Sequence, residues 1–276
     1  MRIDAHQHFW DPSRFRYAWM PPPPSPLLRP FLPEDLAPIL EQNRFDGSVA
    51  VQAHTSIEET DWLLQLARDN PRVKGVVGWV DLQDRRLGAT LDRLQRDPKF
   101  RGVRHPVHDE ADPAWLLRSP VIEGLRELAR REIPYDLLIR PAHLNLVPQL
   151  VERVPDLRMV IDHIAKPAIA AHVMDPWSEQ MAAIARLPQV YCKLSGMITE
   201  ADHAKWKSAD LAPYVRHVVR SFNPDRLMFG SDWPVCLLAG SWKKVLAAFT
   251  QALGPTPVGV RERMLGLTAI EFYGLG

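Results

Sequence analysis

The chain has 276 residues, 46% of them hydrophobic, enough to bury a large core and close to the size of one α/β barrel rather than two unrelated domains. Its 34 lysines and arginines nearly balance 33 aspartates and glutamates, so no overall field draws it to nucleic acid or to an anionic membrane surface. The two cysteines, Cys192 and Cys236, lie far apart in no CxxC pair, which points to a reduced, cytoplasmic protein.

The opening Met-Arg-Ile-Asp-Ala-His-Gln-His runs straight into a strand pattern without an apolar leader core, and no apolar run reaches the ~18 residues of a membrane span. Short apolar, β-branched runs then recur at 2–9, 47–53, 75–82, 102–106, 134–139, 159–164, 190–194 and 227–230. The segments between them carry the spacing of one-sided helices, as in Trp62, Leu63, Leu66 and Ala67, or Ile122, Leu125, Leu128 and Ala129. Repeated βα units require parallel strands with right-handed crossovers, and this set closes most naturally into a single (β/α)₈ TIM barrel over residues 1–276. A doubly wound open sheet is the alternative; no GxGxxG turn follows any strand, which excludes a dinucleotide site of that kind but not the architecture. After the first run come Phe15, Tyr17 and Trp19 and then Pro21, Pro22, Pro23, Pro24, Ser25 and Pro26. Proline at that density makes an extended loop, either a stiff surface connection or a wall over the barrel mouth.

Chemistry-bearing residues collect at the ends of three of these runs. His6 and His8 are two apart on the first, so strand alternation turns both rings to one side and offers two nitrogen donors to one ion. Asp162 and His163 end the sixth and are followed by Lys166 and Pro167, while Asp232 ends the eighth within Phe-Gly-Ser-Asp-Trp-Pro. Each alone has an ordinary structural reading as a core histidine or a helix cap. Together they put metal-capable and acid/base groups at the end where barrels hold their chemistry.

The segments Ile-Asp-Ala-His-Gln-His-Phe-Trp, Ile-Asp-His-Ile-Ala-Lys-Pro and Phe-Gly-Ser-Asp-Trp-Pro, in that order, resemble the amidohydrolase superfamily, in its sugar-lactonase branch. That branch includes L-fuconolactone and L-rhamnonolactone hydrolases and the 2-pyrone-4,6-dicarboxylate lactonase, and the chain looks most like the L-fuconolactonase type. The resemblance implies lactone hydrolysis in carbohydrate breakdown, with Asp232 as the general base for the attacking water and His6, His8 and His163 around the reaction centre. The fourth run, Arg101 to His105, has no lysine for carboxylation, and the fifth ends Leu138-Ile139-Arg140 without a histidine. A two-metal site is therefore not expected. At most one zinc-like ion is, on His6, His8 and Asp232 with His163 as a fourth ligand or donor, and it is dispensable in principle because an ester carbonyl is already electrophilic.

Negative charge growing on the carbonyl oxygen calls for nearby donors, and Arg104, His105, Arg140 and the strand residue Lys193 are candidates, although each arginine could equally hold a neighbouring acid. Gln52, His54, Trp79 and Trp233 are candidates for binding a sugar's hydroxyls and apolar face. The expected partner is a small sugar lactone, and the chain is left as a monomer or homo-oligomer. Competing readings are a zinc-dependent decarboxylase, a pyrone-dicarboxylate lactonase and a barrel without enzymatic activity.

Overall fold

A computed structural model describes Met1–Gly276. Its eight strands are β1 (Ile3–Gln7), β2 (Gly47–Val51), β3 (Val73–Gly78), β4 (Phe100–His105), β5 (Tyr135–Leu137), β6 (Met159–Ile161), β7 (Val190–Leu194) and β8 (Leu227–Phe229). All pairings are parallel and follow chain order. The chain just beyond β8 returns to β1, where the Asp232 N–H donates to the His6 carbonyl at 2.8 Å and the His8 N–H to the Trp233 carbonyl at 2.7 Å. This is a (β/α)₈ barrel and not an open sheet.

The helices that follow the strands are α1 (Pro33–Gln42), α2 (Ile57–Asp69), α3 (Leu87–Leu94), α4 (Ser119–Arg130), α5 (Leu146–Arg153), α6 (Trp177–Ile184), α7 (Ser208–Ser221) and α8 (Trp242–Leu253), with α9 (Val258–Glu262) and α10 (Thr268–Tyr273) at the C-terminus. Their apolar stripes face the strands: α4 buries Val121, Ile122, Leu125 and Leu128, and α2 buries Leu63, Leu64 and Ala67. The Ser56 hydroxyl caps α2 by accepting the Glu59 N–H at 3.1 Å, a contact worth about 1 kcal/mol. No helix is long and apolar enough to cross a membrane.

Two apolar regions result. The larger lies between strands and helices and includes Cys192, which therefore faces outward while its neighbour Lys193 points into the barrel. The smaller fills the lower barrel with Ile3, Ala5, Val49, Val51, Val77, Val160 and Met228, and it is closed from below by Phe272 and Tyr273 of α10 and by Leu275 just after it. Between Asp4 and Gln7, β1 spends one residue more than β2 in the paired ladder. That bulge changes the phase of the strand: Ile3 and Ala5 face the apolar layer, and His6 and His8 face the mouth.

Seven strands end one to four residues before the sequence expectation, and the two largest differences, at β3 and β6, have local causes. β3 stops at Gly78 instead of residue 82, because the Trp79 N–H turns to the Thr60 hydroxyl at 2.8 Å and leaves the ladder. β6 stops at Ile161 because His163, Ile164, Ala165 and Lys166 all take left-handed backbone angles, with φ of 53°, 48°, 60° and 52°. Such a run is costly for residues with a Cβ, above all the β-branched Ile164.

Candidate active site

The mouth of the barrel holds a cavity of about 320 Å³, within the size range of small-molecule sites. His8, Gln52, His54, Arg104, His163 and Asp232 line it, and so do Arg16, Trp19, His108 and Lys166. Its floor is a cluster of imidazoles around one carboxylate. His6 Nε2 and His8 Nε2 are 3.2 Å apart, and Asp232 Oδ1 lies 3.4 Å from His8 Nε2 and 3.9 Å from the Nε2 atoms of His6 and His163.

Backbone geometry sets these directions. The β1 bulge turns His6 and His8 inward, and the left-handed turn after β6 swings His163 over His6, with ring centroids 4.5 Å apart. Gly196, at φ 62°, makes room for that ring, since a Cβ there would sit 2.5 Å from His163 Nδ1. A Cβ on Gly230 would likewise sit 2.5 Å from the His6 Cβ. Asp232 itself has φ 57°, and the Asp4 carboxylate ties the β8 end to β1 by accepting the Ser231 N–H at 2.8 Å.

The hydrogen bonds behind the rings decide which nitrogens are free. His8 Nδ1 is 2.8 Å from the Val51 carbonyl, which can only accept, so Nδ1 carries a proton and Nε2 is the nitrogen left to offer a lone pair. The Arg104 guanidinium donates toward His6 Nε2 at 3.3 Å, which places a lone pair there as well. Two lone pairs and a carboxylate converging at this spacing fit one cation, because nitrogens on a tetrahedral zinc ion lie about 3.3 Å apart. The residues present therefore suit a single divalent ion held by His6, His8 and Asp232.

Burial alone would raise the Asp232 carboxyl, but the facing imidazoles of His163 and His8 outweigh it and hold it below the ordinary aspartate range. Burial pushes His6 and His163 well below the usual histidine value, so both are neutral ligands or acceptors near neutral pH. His108 is pushed down to about 3 by burial, with Lys166, Arg140 and Arg104 adding to the effect.

Several sequence candidates lie elsewhere. His105 alternates outward from Arg104 on β4: it accepts from Trp79 Nε1 at 3.0 Å, pairs with Glu110 at 2.7 Å and stacks on Trp115 at 4.1 Å. His105 and Trp79 thus hold each other outside the cavity lining, and their aromatic and imidazole character serves packing behind the β3 and β4 ends. Trp233 turns away from the mouth to pack on Phe9 and Phe31, because only its predecessor Asp232 faces inward. Arg140 is exposed and does not line the cavity. Lys193 is fully buried beneath the floor, paired with Asp136 and, at 3.1 Å, with Asp162. Gln52 reaches the cavity, but its side-chain oxygen is occupied by Arg104 at 2.7 Å.

Sequence reasoning gave no role to Arg16, Trp19, His108 or Lys166. The Asp-His-Ile-Ala-Lys-Pro segment contains Lys166, yet nothing in its composition announces a left-handed turn. The loop after β1 does form part of the wall: Trp19 Nε1 donates to the Ala53 carbonyl at 2.8 Å, and Arg16, Ala18 and Trp19 line the opening. The prolines that follow stay outside it.

The family model described as amidohydrolase matches residues 3–275. The chain is 40% identical over 281 residues to L-fucono-1,5-lactonase of Burkholderia ambifaria, covering 99% of this chain and 95% of that protein. It is 37% identical to L-fucono-1,5-lactonase of Burkholderia multivorans, covering 100% and 96%. A crystal structure of an amidohydrolase from Burkholderia multivorans with bound zinc superposes with a TM-score of 0.94 at 36% identity, both chains covered in full. From the histidine pair on the first strand to the aspartate after the last, residues and fold agree with a match that spans nearly the whole chain, and the chain belongs to the amidohydrolase family.

Proposed function

We propose that this chain hydrolyses a sugar lactone of the L-fucono-1,5-lactone type to the open aldonic acid, with Asp232 as the base and one zinc ion at His6, His8 and Asp232. The observation that carries the reading is the composition of the cavity. At its floor the ionised Asp232 carboxylate faces the imidazoles of His6, His8 and His163, while His54 Nδ1 and His108 Nδ1 on its lining are buried without a protein partner. Unpaired buried nitrogens suit the hydroxyl groups of a sugar, and a site built this way rejects analogues that lack them. The two full-length relatives act on such a lactone.

The three imidazoles all face Asp232 Oδ1, which leaves Oδ2 to take the proton of the attacking water. The water oxygen bonds to the carbonyl carbon, the ring C–O bond breaks, and the proton taken by Asp232 passes to the departing ring oxygen. Arg104 and Lys166 border the cavity as fixed cations for the charge that grows on the carbonyl oxygen. A divalent ion, when bound, would polarise the carbonyl or acidify the water. β5 ends in Leu137, followed by Leu138 and Ile139, with no histidine to complete a decarboxylase-type ligand set.

A panel of lactones followed by acid release with a pH indicator tests this directly. Sugar lactones should exceed 2-pyrone-4,6-dicarboxylate in kcat/KM by at least about a hundredfold, the scale of one or two unpaired buried donors. Equal rates on the two, or no turnover of any sugar lactone, would sink the assignment.

A further inference from the structure

We propose that Asp162 is a positioning residue for His6, and that Lys193, Asp136 and Tyr273 hold it in that role, so that the C-terminal helix at the far end of the barrel tunes how tightly the mouth holds its ion. The inference rests on the single-ion site of the reading above but not on the identity of the lactone.

His6 belongs to two clusters of possible ligands, one with His8 and Asp232 and one with Asp162 and His163. They are not equivalent. Asp162 Oδ2 accepts from Arg104 at 3.1 Å, and Asp162 Oδ1 lies 3.1 Å from the Lys193 ammonium. Its charge is already met by two fixed cations, and a third positive charge there would be repelled. Asp232 has only imidazoles within ion-pair distance. The ion therefore belongs on the Nε2 side of His6, and Asp162, 3.3 Å from Nδ1, is placed to accept the Nδ1 proton.

The Nδ1 atom also faces a donor, since the Lys193 ammonium is 3.1 Å away. The ring can accept from Lys193 or donate to Asp162, but not both. With the carboxylate charged, donation wins, and Nε2 keeps the lone pair that the ion site needs. Without that charge the Lys193 ammonium competes for the Nδ1 lone pair and pushes the proton toward Nε2, opposed only by the Arg104 N–H at 3.3 Å.

Lys193 is held by Asp136, whose two oxygens each accept from the Tyr273 hydroxyl of α10 at 2.9 Å. Asp136, Asp162 and Lys193 are fully buried and Arg104 nearly so, and together they are electrically neutral. Buried ion sets contribute little to stability over a well-packed apolar core. Their presence beneath the floor is explained by what they orient.

The test reads protons and zinc, not turnover. With ¹⁵N-labelled histidine and the His6 signal assigned by its loss in His6→Asn, the zinc-free wild type should show His6 protonated on Nδ1, and Asp162→Asn should shift the proton to Nε2. Zinc affinity from chelator competition should fall by about 10- to 100-fold in Asp162→Asn, and by a smaller factor, about 3- to 10-fold, in Tyr273→Phe. Wild-type His6 protonated on Nε2 overturns the positioning role, and unchanged zinc affinity in Tyr273→Phe overturns the reach to α10. If Asp162→Asn does not fold, the wild-type tautomer and Tyr273→Phe still decide. A protein that shows this tautomer and this zinc ranking yet turns over no lactone would sink the substrate reading and support the array.

Discussion

Asp232 and Glu59 are both buried acids, and their surroundings push them in opposite directions. Asp232 is drawn below its ordinary range by the imidazoles it faces, so it is ionised near neutral pH, as the proposed base must be. Asp232→Asn should keep the fold and lose turnover by ~10²- to 10⁴-fold, read as kcat on a sugar lactone beside the urea midpoint. Near-normal rates would remove it from the mechanism. Glu59 is pushed from 4.5 up to about 7 by burial, although the N–H groups of His54 and Ala53, at 2.7 and 2.9 Å, oppose the shift. Between those two values the native state keeps a proton that the unfolded chain has released, so stability falls as pH rises through that window, by about 3 kcal/mol in all. Glu59→Gln should therefore gain on the wild type by a margin that is small at about pH 5 and largest at about pH 8. An equal margin at both would show that Glu59 ionises as an exposed acid does.

Three irregular elements bring the site together: the bulge in β1, the left-handed turn after β6 and the loop after β1. Gly196 serves the second of these. Gly196→Ala places a Cβ against the His163 ring and adds about 1 kcal/mol of left-handed strain, so kcat should fall by more than the loss of stability accounts for. A kcat loss that vanishes once the folded fraction is corrected for would reduce Gly196 to a turn residue. Trp19 serves the third element, pinned to the Ala53 carbonyl where it lines the cavity. Trp19→Ala should raise KM several-fold and leave kcat within about twofold, the signature of uniform binding lost. A matching drop in kcat would move that tryptophan into the chemistry.

At the scale of the molecule, the barrel divides into an apolar plug below, a neutral layer of buried charges, and an open mouth whose His6, His8 and Asp232 cluster meets the Arg104 guanidinium at His6 Nε2. Elemental analysis of protein purified in the presence of zinc should find no more than one tightly held ion per chain. Two would show that Lys193 and Arg104 do not screen Asp162. The fold was legible in the sequence because parallel strands covered on both faces read as short apolar runs and helices as one-sided stripes. Asp232, His6, His8 and His163 were legible as strand-end residues. What the sequence could not decide is anything that depends on a local break in periodicity. A bulge, four left-handed residues and a loop folding back to β2 run against local preference or are indifferent to it, and only the packed barrel selects them. They put Lys166, Arg16 and Trp19 on the cavity and leave His105, Trp79, Trp233 and Arg140 off it. The residue types at the mouth were set by the chain itself; what surrounds each nitrogen of His6, with Asp162 and Lys193 at Nδ1 and His8 and Arg104 at Nε2, was decided only by closure of the barrel.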